Sequence, residues 1–169
     1  MIQRIQSVYL ALALICVILL NYFPLFFIDI STDAAKSHAE FGAHGLVAEG
    51  ILGENLDRAQ FPFYYVYVFL SLLTLLALFM YKNRRRQIIF CRISLIFHLL
   101  VIAGMYSFYY GGKSFLADTI VIPEGETATI TLSLAAGFYL IIATIPLLLL
   151  AIRGIRNDEK LVKSLDRLR

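Results

Sequence analysis

Tryptophan is absent from this 169-residue chain, cysteine occurs twice, proline four times, and only 16% of the residues are charged. Each shortage excludes something. Cys16 and Cys91 sit in different apolar stretches and form no Cys-x-x-Cys pair, so both thiols read as small hydrophobes. With 60% hydrophobic residues and a mean hydropathy of +0.77, the chain has too few charges for a water-soluble fold, since soluble domains run near ~45–50% apolar and ~25% charged. The formal charge of +3 is too small to argue for nucleic-acid binding. There is no glycine-rich phosphate loop, nucleophile elbow or metalloprotease helix motif. No catalytic residue, metal ligand set or cofactor is expected, and the reading is not that of an enzyme.

What is present is apolar sequence in long runs, approximately Val8–Ile30, Phe63–Tyr81, Ile88–Tyr110 and Ile130–Ile152. Each is close to the ~20 residues that a helix needs to cross the ~30 Å hydrocarbon core of a bilayer. The expected fold is an all-α integral membrane protein of one domain, residues 1–169, built as an antiparallel four-helix transmembrane bundle. Helices over about 8–30, 63–81, 88–110 and 130–152 would be joined by outer loops 31–62 and 111–129 and an inner loop 82–87, with a tail at 153–169.

Charge orients these spans. Arg4, Lys82, Arg84, Arg85, Arg86, Arg92, Arg153, Arg156, Lys160, Lys163, Arg167 and Arg169 fall on one side, twelve of the fifteen basic residues. The other side holds Lys36, Arg58 and Lys113 beside eight acids. Positive charge resists translocation, so the basic side is expected to be cytoplasmic, with both termini inside. The first span resembles a secretory signal only superficially. Its apolar run exceeds the ~7–15 residues of a signal core, and Ser37-His38-Ala39 is a poor cleavage site, so an uncleaved helix is expected.

Aromatic rings cluster at the outer ends of the spans: Tyr22, Phe23, Phe26 and Phe27 in the first, Phe61 to Tyr67 in the second, Tyr106 to Tyr110 in the third. Such rings anchor at headgroup level. The outer loops look structured. Gly45-Leu46-Val47-Ala48 and Gly50-Ile51-Leu52-Gly53 have the character of strands or a re-entrant turn. Asp118–Ile122 and Thr127–Thr131 are β-branched and flank Pro123-Glu124-Gly125-Glu126, which predicts a hairpin running into the fourth helix. The two outer loops together are expected to form a small extracytoplasmic sheet. His38, Glu40 and His44 match no established metal spacing.

Polar residues at membrane depth need a reason. His98 lies near the centre of the third span with Ser94 one turn earlier on the same face, and Asn21 lies toward the outer part of the first. A lone histidine there is read as hydrogen-bonded within the bundle, with a proton or small-molecule role as the sharper possibility. Asp29 is read as solvated at the outer interface. Pro146 predicts a kink in the fourth helix. Leu161, Leu165 and Leu168 make the tail an amphipathic extension on the inner surface or a docking segment for a partner.

The opening Met-Ile-Gln-Arg-Ile-Gln-Ser-Val-Tyr-Leu and the stretch Tyr81-Lys82-Asn83-Arg84-Arg85-Arg86-Gln87-Ile88, followed by Cys91-Arg92, resemble the inner-membrane family known as domain of unknown function 4293, found in Bacteroidota. The resemblance covers essentially the whole chain and rests on Gln3, Arg4, Gln6, Asn83, Arg84 and Gln87. It implies four helices in a bacterial inner membrane and brings no activity or ligand. Topology needs only positive charge, so the amides of Asn83 and Gln87 are expected to bond across the cytoplasmic helix ends.

The favoured expectation is a non-catalytic accessory or assembly subunit of a larger envelope complex, with the bilayer, membrane-protein partners or further copies of itself as its contacts. The alternative is a small transporter, channel or lipid- or quinone-handling protein working through the interior near His98, Ser94 and Asn21.

Overall fold

The computed structural model describes residues 3–31, 36–49, 63–119 and 129–166. The chain runs α1 (Gln3–Leu19), β1 (Phe26–Ser31), β2 (Lys36–Gly42), β3 (Gly45–Glu49), α2 (Tyr64–Phe79), a short 3-10 turn (Met80–Lys82), α3 (Arg84–Thr119), β4 (Thr129–Leu134) and α4 (Ala136–Asp166). By length and composition three helical stretches can cross a membrane: Tyr64–Lys82, Arg84–Gly111 and Ala136–Leu161. The first helix is apolar but shorter.

The first apolar run is therefore not a single helix to Ile30. The helix begins earlier than Val8 and stops at Leu19, and the run continues as β1. Pro24 explains the break, because its ring fixes φ, it has no N–H, and the residue before it is pushed out of helical geometry. Beyond it the sequence Phe-Phe-Ile-Asp-Ile-Ser takes up period two, with Phe26, Ile28 and Ile30 buried and Asp29 exposed. The fourth run is corrected the same way: residues 129–134 form β4, Ala135 links, and the helix starts at Ala136. β-branched residues alternating with polar ones favour that strand. The third helix extends past both expected ends, over Arg84–Thr119, and leaves Asn83 as the whole of the inner corner. The tail is no separate element, since α4 continues without interruption to Asp166 past Pro146.

All four strands pair antiparallel in the order β3-β2-β1-β4. The sheet expected from the outer loops is present, but its second component pairs differently. β4 lies against β1, with Ile28 opposite Leu132. Asp118 and Thr119, expected in the first arm of a hairpin, belong to α3, and 120–128 lie outside the described residues. So does the Gly50–Gly53 segment, whereas Gly45–Glu49 is strand β3. The two-residue turn Ala43-His44 between β2 and β3 ends at Gly45, whose φ of 95° is a left-handed value suited to glycine.

Each helix packs on two others: α1 on α4 and α2, α3 on α2 and α4. Two apolar cores result. The sheet residues Phe26, Ile28, Ile30, Phe41 and Leu132 share one with Val17, Tyr67, Met105, Phe138 and Ile141 from the helices. Leu10, Ala13, Ala77, Ile88, Cys91, Leu148 and Ile155 form the other toward the basic end.

Candidate functional site

Two of the residues that carry the family resemblance, Gln6 and Arg84, meet at the basic end on an acid from the far end of the chain. Asp158 is nearly buried on α4, next in helical spacing after the buried Leu148, Ile152 and Ile155. The Gln6 Nε2 amide donates to its Oδ2, and Arg84 Nη1 donates to its backbone carbonyl at 3.0 Å. Asp158 Oδ1 is buried and has no hydrogen-bond partner among the described residues. Gly154 lets α1 come close, because a Cβ there would lie 2.8 Å from Gln6 Cγ. Asp158 thus ties α1 to α4 through its carboxylate and α3 to α4 through its backbone carbonyl.

α3 opens on Arg84-Arg85-Arg86 with no acid in its first turn, so cations sit at the positive end of the helix dipole. Glu159 supplies negative charge from α4, with its Oε1 3.9 Å from Arg85 Nε, while Arg84 meets Asp158 at the backbone carbonyl. Gln87 is buried beside this cluster, and Asn83 caps its own helix by accepting the Arg86 N–H on Oδ1 at 3.4 Å. Asn83 does not bond across to another helix among the described residues. Gln3 and Arg4 stand in the first turn of α1, and their side chains lie outside the described residues.

A second polar chain crosses the interface between α2 and α3. Thr74 Oγ1 donates to the Leu70 carbonyl at 2.9 Å and lies 3.1 Å from Ser94 Oγ. His98 Nδ1 donates to the Ser94 carbonyl at 2.7 Å, which leaves Nε2 as the ring's acceptor. Thr74, Ser94 and His98 are all completely buried, and His98 Nε2 has no partner among the described residues. The pairing of His98 with Ser94 follows the sequence reading, and Thr74 is the member it missed. Asn21 does not join them: it lies in the turn after α1, where Nδ2 donates to the Ile18 carbonyl at 3.1 Å. The signal for Thr74 is weak, because hydroxyls inside apolar helices commonly bond their own turn. The signal for Asp158 is clearer, an acid on the apolar stripe of a basic helix.

The exposed sheet face carries a third group. His38 Nδ1 is 2.6 Å from Asp29 Oδ1, His38 Nε2 is 3.8 Å from Glu40 Oε1, and the imidazole lies 5.4 Å from the Phe27 ring. His44 sits away from them against Tyr64. Among the described residues no group of three or more His, Cys, Asp or Glu is placed to hold a metal.

The sheet itself is fastened to the helix ends through backbone bonds. Tyr64 N–H, at the start of α2, donates to the Ala43 carbonyl at 2.8 Å, and Gly137 N–H, at the start of α4, donates to Pro24 at 2.9 Å. Ala135 N–H donates to Leu25 at 2.9 Å, and Leu25 N–H to Phe41 at 2.7 Å. Two helices thereby satisfy N-terminal donors that would otherwise lack partners.

Four helices, three of them long and apolar enough to cross a membrane, carrying a small antiparallel sheet at one end, define the class of protein. Within it, the chain belongs to the family described as a domain of unknown function (DUF4293), whose model matches residues 2–168. A comparison with curated proteins finds no match.

Proposed function

We propose that this protein is a non-catalytic subunit of a bacterial inner-membrane complex, an accessory or assembly factor that offers its sheet to a partner outside the membrane. The four helices form an antiparallel bundle, with the basic end and both termini in the cytoplasm and the sheet on the opposite side. The observation that carries this reading is the mounting of the sheet. Backbone bonds at Tyr64, Ala135 and Gly137 hold it on the helix ends, so its exposed face keeps a fixed pose relative to the membrane. That face mixes Phe27, Asp29, His38, Glu40 and Val47, apolar and charged groups of the kind found across protein interfaces. The family-motif residues support the same reading, because Gln6 and Arg84 are used in tying helices together.

Purification of the tagged protein from its native membrane in mild detergent, with mass spectrometry of what accompanies it, is the test. A stoichiometric partner that is lost when Asp29 and Val47 are replaced by Lys is expected; a protein that travels alone sinks the reading. Orientation is tested separately. A cysteine at Thr131 should react with an impermeant maleimide added from outside intact spheroplasts, and labelling only after lysis would reverse the topology.

A second reading, transport or lipid or quinone handling through the interior, is favoured by one observation, the unpartnered and buried His98 Nε2. His98→Leu separates the two. Loss of a native-membrane phenotype at unchanged expression supports the second reading, and an unchanged phenotype supports the first.

A further inference from the structure

Five cations line one seam of the molecule at its basic end. On α3, Arg85 and Arg92 are seven residues apart and so share a face. On α4, Arg153, Arg156 and Lys160 share a face by the same rule, at spacings of three and four. The two faces adjoin at Arg156, which stands three residues before Glu159 and so neighbours it on α4, while Glu159 Oε1 lies 3.9 Å from Arg85 Nε. All five cations are exposed. Arg92, Arg153, Arg156 and Lys160 make no ion pair among the described residues, and Glu159 is already engaged by Arg85.

Depth separates this seam from an ordinary charged rim. At 1.5 Å per residue, Arg92 lies about 10 Å further along α3 than Arg85, and Arg153 lies about 9 Å further into α4 than Glu159. Both guanidiniums therefore start below the corner and must reach back along the seam to find a counter-charge, as arginines near helix ends do. The exposed neighbours Ile89, Ile96 and Leu149 give the flanks of the seam an apolar surface. Arginine pairs with phosphate through a bidentate fork. Cations stacked at two levels beside apolar flanks suit a molecule with an anionic phosphate head and apolar chains.

We propose that the α3–α4 seam is a binding site for an anionic phospholipid of the cytoplasmic leaflet, with Arg92 and Arg153 gripping its phosphate and Arg85, Arg156 and Lys160 closing over the headgroup. The proposal rests on the reading that this end lies at the inner headgroup level, and it is independent of whether the sheet binds a partner.

The test uses the full chain in nanodiscs of phosphatidylcholine containing a minor fraction of phosphatidylglycerol, with lipid retained on the protein measured by native mass spectrometry. Phosphatidylglycerol should be enriched over its bulk share. Arg92→Gln/Arg153→Gln should lower that enrichment about tenfold, while Lys82→Gln/Arg86→Gln, which removes equal charge off the seam, should leave it within about twofold. Glu159→Gln should raise it. Millimolar inorganic phosphate should not displace the lipid, since the apolar chains contribute to its hold; displacement would assign the site to a free anion instead. Equal losses in the two double variants would mean a diffuse charge effect, and no loss in either would mean no site. Either result overturns the proposal, and the Glu159→Gln measurement decides it should the double variants fail to fold.

Discussion

At the sheet end of the molecule, elements are joined by backbone hydrogen bonds and aromatic rings; at the basic end, they are joined by side chains converging on Asp158. Phe26 stands at the centre of the first arrangement, completely buried, with ring centroids of Phe41, Phe108, Tyr109 and Phe138 at 5.8 to 6.3 Å. Gln6, Arg84 and Asp158 make the second. Backbone groups are supplied by any residue, so the joints at Ala43 and Ala135 constrain shape more than identity, and Gly137 is special only in lacking a Cβ where it meets Pro24. Side-chain joints demand particular residues, here Gln6, Arg84 and Asp158.

The comparison can be broken hardest at the sheet end. Phe26→Ala removes a buried ring from the centre of the aromatic cluster and should cost about 3–5 kcal/mol, read as a fall in unfolding midpoint in detergent. Gly137→Val comes next. A Cβ there would lie 2.6 Å from the Pro24 oxygen and 2.9 Å from the Phe23 oxygen, both backbone atoms. An overpacking cost of about 1–3 kcal/mol is expected, with faster hydrogen exchange across β1 and β4; exchange unchanged from the parent would mean that the sheet does not depend on this contact.

At the basic end the effect should be smaller and, unlike the sheet end, reversible by a second change. Gln6→Leu strands a buried carboxylate and should cost about 1–3 kcal/mol. Adding Asp158→Leu should recover most of the loss, because removing both partners of a buried hydrogen bond is far less harmful than removing one. Unfolding titrations of the two single variants and the double variant provide the check, and simple additivity would show that the two residues do not act together. The smallest effect is expected between the ends. Ser94→Ala removes a hydroxyl from the Thr74–Ser94–His98 chain, and side-chain hydrogen bonds between helices in lipid average about 0.6 kcal/mol.

Some of this was legible in the residues. The apolar lengths of α2, α3 and α4 and the neighbouring placement of Ser94 and His98 follow from hydropathy and helical spacing alone, whereas the inner loop expected at 82–87 is a corner at Asn83, with Arg84–Gln87 opening α3. Gly45–Ala48 read as a strand or a re-entrant turn and is part of a strand, and the strand character of Thr129–Thr131 was visible in its β-branched residues. The end of α1 was misjudged because Phe26, Phe27, Ile28 and Ile30 are apolar enough to extend a span, and hydropathy does not register that Asp29 breaks the run with period two. Asn21 was placed in the interior for the same reason, two residues past a helix that ends at Leu19.

The sequence by itself determined that this chain contains helices long and apolar enough for a membrane, and that its positive charge collects at one end of them. Both are properties of composition and local order, which the bilayer reads without reference to tertiary contacts. Only the tertiary structure decided that the first and last apolar runs surrender residues to a shared sheet, and that Asp158 meets Gln6 across almost the whole chain. Those choices depend on strand pairing and on buried polar groups finding partners, both set by residues distant in sequence.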